Sequence, residues 1–114
     1  MDIGQLDIDI PDDRLRALCE HEKTAVKKMG QLCARKLRTR LADIIAAENV
    51  RELVAGRPHP LKGNRHGQFA LDLHGGVRLV FEPANNPVQH HDDGGINWSL
   101  ATKVRIVYIG DYHD

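Results

Sequence analysis

The spacing of apolar residues changes along the chain, and the first segment has the period of a strand. Apolar and polar residues alternate imperfectly from Ile3 to Ile10, which predicts a short strand. Pro11 ends this run, and either Asp12 or Asp13 is a good N-cap for a helix that starts near Arg14. The chain is therefore expected to open with a strand and a helix.

The strongest helical pattern in the sequence covers residues 24–48. Its apolar residues recur at steps of three and four and form one stripe: Val26, Met29, Cys33, Leu37, Leu41 and Ile44. Gly30 lies inside the pattern and weakens a helix by about 1 kcal/mol relative to Ala. The pattern predicts one long amphipathic helix, capped by Thr24, with a basic outer face. A shorter helical turn follows and ends at Gly56.

From residue 69 onward the period is that of β-structure. Apolar residues alternate with other residues on both sides of Gly75-Gly76, which predicts a hairpin with those two glycines as its turn. Residues 84–98 are polar and carry turn signals, so they predict a loop. The last strand is predicted over residues 104–109, with Val104, Ile106 and Tyr108 on one face and Arg105, Val107 and Ile109 on the other.

The predicted elements follow the order β-α-α-β-β-β. This order favours an α+β fold in which two N-terminal helices pack on one face of a small antiparallel-rich sheet. At 114 residues the chain is expected to form a single domain over residues 1–114.

The formal net charge is zero, but the charges are unevenly distributed. Residues 1–13 carry five acids and no base, residues 14–66 carry thirteen Lys and Arg against five Asp and Glu, and residues 67–114 carry three against six. A basic block between acidic ends suggests a polyanionic partner. The same block also fits a solvated helix face, and charge alone leaves both interpretations open.

Other features narrow the class of protein. No apolar run approaches the ~18 residues of a membrane span, and the acidic N-terminus lacks the pattern of a signal peptide. Cys19 and Cys33 form no CxxC pair and are expected to be core thiols. The adjacent ligand types of His90–Asp93 point apart on an extended chain, and no zinc-like spacing supports them. We therefore expect a cytoplasmic protein with no membrane partner, no metal and no other cofactor.

Side chains capable of proton transfer or of binding an anion concentrate in three places. The connection "GRPHPLKGNRHG" contains Arg57, His59, Lys62 and Arg65, and loops of this kind either display functional residues or are plain basic surface. Arg78 lies inside an apolar strand, where it either faces solvent or points into a concave sheet face. The third place is the C-terminal Asp111-Tyr112-His113, directly after the last predicted strand.

In combination these stretches resemble a known family. The ordered motifs H-x-L-K-G, R-[LI]-x-F and D-Y-H, at residues 59–63, 78–81 and 111–113, are similar to the HigB branch of the RelE-type toxins of bacterial toxin–antitoxin systems. The nearest group is often labelled "killer" or "killer suppression" proteins. The resemblance covers roughly residues 14–114.

The resemblance implies a toxin that cleaves messenger RNA on the ribosome and is silenced by a cognate helix-turn-helix antitoxin. It also implies a catalytic site made of six residues: His59, Lys62, Arg78, Asp111, Tyr112 and His113. Arg57 and Arg65 are expected to help bind RNA by position. Arg35 and Arg38 lie on the basic helix. They either contact a partner, which is ribosomal RNA or an acidic antitoxin segment, or they only form a solvent-exposed face of the helix.

These residue types suit RNA cleavage without a metal. The 2′-OH attacks the adjacent phosphorus, so a base, an acid and cations are needed. His59 or His113 is expected to supply the acid–base pair, with Asp111 orienting a histidine or acting as the base, and Lys62 and Arg78 holding the phosphate. The alternative is a non-catalytic binding partner, or an antitoxin-like regulator, on the same fold.

Overall fold

The computed structural model describes residues 5–111 and contains, within them, three helices and five strands. The helices are α1 (Asp13–Glu20), α2 (Glu22–Met29) and α3 (Gln31–Ala46). The strands are β1 (Asp7–Asp9), β2 (His59–Pro60), β3 (Phe69–Asp72), β4 (Arg78–Pro83) and β5 (Lys103–Gly110). The predicted positions Ile3, Tyr112 and His113 lie outside the described residues.

The five strands form one sheet in the order β1-β5-β4-β3-β2. β1 pairs with β5 in parallel, and the other neighbouring pairs are antiparallel. The predicted α+β class with an antiparallel-rich sheet is confirmed. The two-residue strand β2 was not predicted, because it lies in the Pro-rich connection and pairs only through His59 and Pro60.

Two local predictions at turns are confirmed. The side chain of Asp12 caps α1 by accepting the N–H groups of Arg14 and Leu15, at 2.8 and 3.0 Å. Gly75 and Gly76 join β3 to β4 with φ values of 62° and 85°, a backbone conformation that favours glycine at both positions.

The prediction of one continuous helix over residues 24–48 is wrong. Gly30 has φ 88°, far from the helical value, and it ends α2 and precedes α3. The fold therefore has three helices where two were predicted. α2 also begins at Glu22, upstream of the predicted cap at Thr24. The apolar stripe keeps its period across the break, which is why the sequence did not reveal it.

The two faces of the sheet have different surroundings. On one face, helical residues pack with strand residues in the main core, which includes Leu37, Ile44, Leu71, Leu79, Phe81 and Ile106. On the other face, which we call the open face, a small cluster joins Leu61, Ala70 and Val80 to Val107 and Tyr108. Among residues 5–111, the helices thus pack on one side of the sheet, opposite the open face.

A bulge in β5 changes which side chains reach the open face. Val80 pairs with Tyr108, but the next residue, Phe81, pairs with Ile106, so Val107 is an extra residue. Ile106 and Ile109 therefore pack against the main core, while Tyr108 lies on the open face. The prediction that Tyr108 shares a face with Ile106 is wrong for this reason.

Within residues 5–111, none of the helices is long and apolar enough to cross a bilayer.

Candidate active site on the open face of the sheet

The strand register lines up charged residues from three segments across the sheet. Asp72 pairs with Arg78, and Arg78 pairs with Gly110. Arg57 extends this row beyond β3, because its Nε lies 2.8 Å from Asp72 Oδ2. Arg78 Nε lies 3.1 Å from Asp72 Oδ1. We call Arg57, Asp72 and Arg78 the arginine row.

The backbone at Arg57 is held in an unusual conformation. Arg57 has φ 48°, in the left-handed region that a non-glycine residue seldom adopts. The preceding carbonyl, of Gly56, accepts the N–H of Asp72 at 2.6 Å. The loop therefore delivers Arg57 to the sheet through a fixed turn against β3.

A second row lies about 7 Å along the strands from the first, because two residues separate the rows. It joins His59 to Ala70, Ala70 to Val80, and Val80 to Tyr108. Since cross-strand partners project to the same side, the register puts His59 on the open face with Tyr108. The half-buried imidazole therefore belongs to the same surface as the arginine row.

The hydrogen bond of His59 fixes which ring nitrogen can act as a base. Nδ1 lies 2.7 Å from the carbonyl oxygen of Arg57. Because a carbonyl oxygen only accepts, Nδ1 carries the proton, and the neutral ring presents Nε2 as an acceptor. This arrangement suits His59 to the role of proton acceptor.

Tyr108 and Arg65 form a stack beside the arginine row. The guanidinium carbon of Arg65 lies 4.3 Å from the centre of the Tyr108 ring, within the range of a cation–π contact. The ring extends over Gly110, where an added Cβ would lie 2.7 Å from the Tyr108 hydroxyl oxygen. Gly110, the cross-strand partner of Arg78, thus leaves the space that the Tyr108 ring occupies.

Asp111 follows β5 at the end of the sheet where Arg78 lies. Its carboxylate lies against Gly76, where an added Cβ would be 3.1 Å from Oδ2. Gly76 also contacts Arg78, whose Nη1 donates to its carbonyl oxygen at 3.0 Å. Asp111 therefore lies at the end of the sheet that holds the arginine row, whereas its predicted neighbours Tyr112 and His113 are outside the described residues.

The other predicted residues occupy two different surroundings. Lys62 is exposed at the start of the short 3-10 turn Gly63–Arg65, which leads from β2 to the stack. Arg35 and Arg38 are exposed on α3, on the helical side of the sheet, and Arg38 pairs with Glu22 at 3.1 Å. The structure does not bring these two arginines together with the arginine row.

Sequence reasoning missed two residues of this surface. Asp72 alternates with Leu71 and Leu73, and the glycine turn sets it opposite Arg78, so the hairpin pattern alone was enough to find it. Tyr108 was assigned to the other face because nothing in "RIVYIG" marks the bulge.

Metal-ligand clusters and thiols are two further features of the described residues. No group of three His, Cys, Asp or Glu side chains that could hold a metal occurs in the described part of the chain. Burial, and secondarily the charge of Glu20, raises the pKa of the Cys19 thiol to about 11, so little thiolate forms near neutral pH. Cys33 is buried in α3.

Comparison with known proteins gives structural neighbours without a sequence match. No protein-family model matches the chain, and no curated protein matches it either. A chain of the YoeB–YefM complex from Staphylococcus aureus is 17% identical, with a TM-score of 0.54, over 96% of this chain and 99% of that one. The YoeB dimer from the same organism gives 17% identity and a TM-score of 0.56 over 96% and 99%.

A third neighbour is the YoeB/ParE toxin from Agrobacterium tumefaciens. It is 11% identical and has a TM-score of 0.57 over 95% of this chain and 100% of that one. The helices and the mostly antiparallel sheet therefore match over nearly the whole length of both chains. At such low identity the likeness concerns the backbone alone: the chain has the fold of the YoeB and YoeB/ParE toxins.

Proposed function

We propose that this protein is the toxin of a toxin–antitoxin system and that it cleaves messenger RNA on the ribosome without a metal. One observation carries the proposal. Arg57, His59, Arg65, Arg78 and Asp111 come from three separate stretches of sequence and lie in two adjacent rows of the open face. The fold of the YoeB neighbours and the HigB-like motifs support the same function.

The reaction that this surface fits is attack of a ribose 2′-OH on the adjacent phosphorus. The new P–O bond forms a cyclic phosphate while the bond to the leaving 5′-oxygen breaks. A base removes the 2′-OH proton, and an acid protonates the 5′-oxygen. The guanidinium groups stabilise the negative charge that develops on the phosphorane oxygens.

We assign the roles from the geometry and the motifs together. His59 accepts the proton through Nε2, because its Nδ1–H is engaged by the Arg57 carbonyl. Arg78, with Arg57 and Lys62, binds the phosphate. His113 is the proposed acid, and Asp111 orients it. Tyr112 stacks on a base or bonds to a phosphate oxygen, a role shared with the Arg65–Tyr108 stack.

The proposed partners follow from charge and from the neighbours. One neighbour is described as a YoeB–YefM toxin–antitoxin complex, and we propose that this chain likewise binds an antitoxin, of the helix-turn-helix type that the HigB resemblance implies. Arg35 and Arg38 lie on a basic, exposed helical surface. That surface suits ribosomal RNA or an acidic antitoxin segment. The site of action is then the cytoplasm, where ribosomes are.

Expression from a tightly repressed promoter tests the proposal. Wild-type protein is expected to arrest growth, and mapping of messenger RNA ends should show new cuts inside translated regions. His59→Ala and His113→Ala should each lower cutting by about 10²-fold or more, because each removes a proton-transfer group. Arg51→Ala is the control, since Arg51 is exposed on the 3-10 turn Val50–Glu52, outside the site.

A non-catalytic binder is the second candidate, and one observation favours it. Asp72 already pairs with Arg57 and Arg78, which lowers the positive charge offered to RNA. Soluble wild-type protein that neither arrests growth nor produces cuts, in cells lacking an antitoxin, would favour the binder and refute the nuclease.

A further inference from the structure

Asp72 makes two contacts with the arginines of the arginine row and one with the backbone of Gly56. Oδ2 lies 2.8 Å from Arg57 Nε, and Oδ1 lies 3.1 Å from Arg78 Nε. The backbone N–H of Asp72 donates to the carbonyl of Gly56 at 2.6 Å. The carboxylate is 34% exposed and Arg78 is 23% exposed, so the pair between them is partly shielded from water.

Asp72 contacts the two guanidinium groups in different ways. Arg57 Nε donates a hydrogen bond to Oδ2 at 2.8 Å. Arg78 Nε lies 3.1 Å from Oδ1 as an ion pair, and within the described residues Oδ1 accepts no hydrogen bond. A guanidinium group is planar, so an arginine held at Nε has a fixed plane, and its terminal N–H groups keep fixed directions. Arg78 is held at a second point, because Nη1 donates to the Gly76 carbonyl. One carboxylate thereby attracts two guanidinium groups from different segments to one place: it holds Arg57 by a hydrogen bond, and it holds Arg78 by charge together with the Gly76 carbonyl.

The turn before Arg57 depends on the same residue. A left-handed φ is unfavourable for a non-glycine residue, and Arg57 has φ 48°. An added Cβ at Gly56 would lie 3.1 Å from the Asp72 carbonyl oxygen and 3.0 Å from Arg40 Cδ. The segment is thus pressed between β3 and α3, and Asp72 contributes both a backbone and a side-chain contact that keep it there.

We infer that Asp72 is the positioning residue of the phosphate site: it aligns Arg57 and Arg78 on one anion and, by its own charge, limits how tightly the site binds RNA. The inference rests on the proposed function for the identity of that anion. The arginine row carries two positive charges and one negative charge, or +1. Without the carboxylate charge it would carry +2.

Two opposite effects follow from this arrangement. Removing the charge of Asp72 should strengthen the binding of a polyanion, because the local charge rises by one. It should also slow cleavage, because guanidinium groups with free orientation stabilise the transition state less well. A purely structural residue would instead weaken binding and cleavage together.

The test compares Asp72→Asn with the wild-type protein. The binding probe is a single-stranded oligoribonucleotide with 2′-O-methyl groups throughout, which cannot be cleaved by 2′-OH attack. Asp72→Asn is expected to bind it about 3-fold more tightly, with a steeper dependence on salt. Cleavage of messenger RNA in a translating extract is expected to fall by roughly 10-fold or more.

Glu82→Gln is the matched control. Glu82, like Asp72, is a carboxylate paired with an arginine, and it lies 2.7 Å from Arg105. It belongs to β4, four residues along the strand from Arg78. This variant adds the same unit of charge to the same face but leaves Arg57 and Arg78 in place. It should change cleavage less than about 2-fold. Equal effects of the two variants on cleavage would overturn the inference.

Other results would also overturn it. Asp72→Asn that cleaves as fast as wild type, or that binds the probe more weakly, contradicts a positioning role. Nitrogen-15 NMR of the wild-type side chains provides a test that does not depend on variant folding. The Nε–H group of Arg57, which donates to Asp72 Oδ2, should exchange slowly, and fast exchange would refute the inference. The binding and NMR measurements still test Asp72 if the wild-type protein cuts no RNA.

Discussion

The two ends of the open face use the same kind of ion pair in opposite proportions. At one end, a single carboxylate, Asp72, serves two arginines, so the formal charge is 2 − 1 = +1. At the other end, a single guanidinium, Arg105, serves two carboxylates, Glu82 at 2.7 Å and Asp9 at 3.6 Å, so the charge is 1 − 2 = −1. β4 spans both ends over about 13 Å.

This difference in charge between the two ends indicates where a polyanion can bind, although the protein has no net charge. The whole chain is neutral, yet the face is polarised along its strands. A phosphodiester is attracted to the arginine row and repelled from the Arg105 end. Asp111 lies at the positive end. The histidine and the aromatic stack lie in the row between the two ends, and His59 is tied to the positive end through the Arg57 carbonyl.

The largest expected effect comes from removing one arginine at each end of the face and comparing the two variants. Arg78→Ala removes the half-buried guanidinium of the positive end and should lower cleavage by about 10²-fold or more. Arg105→Ala removes an arginine from the same face and should leave cleavage within about 3-fold. Cut-site mapping after matched expression measures both. Similar losses in the two variants would show that the face acts as one surface, without the polarity argued above.

A smaller effect is expected from Gly110→Ala, which tests the stack beside Arg78. The new Cβ would lie 2.7 Å from the Tyr108 hydroxyl oxygen and 2.9 Å from Cζ, so the ring must move away. We expect the free energy of unfolding to fall by about 1–3 kcal/mol and cleavage to fall by roughly 10-fold. Thermal unfolding and cut-site mapping measure the two effects.

The control makes the same Gly110→Ala substitution in a protein that already carries Tyr108→Ala. In Tyr108→Ala the obstructing ring is absent, so adding Gly110→Ala should cost little more in stability. An equal cost of Gly110→Ala in both backgrounds would mean that the backbone at residue 110, and not the ring, requires glycine.

Tyr108 also illustrates what the sequence could and could not predict. Period-2 alternation located β3, β4 and β5, and the glycine turn set the register that pairs Asp72 with Arg78. The bulge at Val107 reversed the alternation after Ile106. A bulge has no fixed residue signature in an apolar run, so the alternation predicts Tyr108 on the same face as Ile106.

The prediction of the number of helices was wrong for a different reason. The apolar stripe of residues 24–48 continues in phase through Gly30, so periodicity alone predicts one helix. The break needs only one residue with φ 88°, which glycine adopts at little cost. The fold class depends on the stripe and was therefore predictable, whereas the number of helices depends on one dihedral angle and was not.

The smallest expected effect concerns the negative end alone. The side chains of Arg105 and Glu82 are 38% and 33% exposed, and ion pairs at that exposure typically stabilise a protein by about 0.2–1 kcal/mol. A double-mutant cycle of Arg105→Ala and Glu82→Ala, followed by urea unfolding, should give a coupling energy in that range. Because Asp9 can still pair with Arg105 when Glu82 is absent, Arg105→Ala should cost more than Glu82→Ala. The reverse order would mean that the Asp9–Arg105 ion pair does not stabilise the protein, and that Arg105 does not offset the repulsion between the two carboxylates of this end.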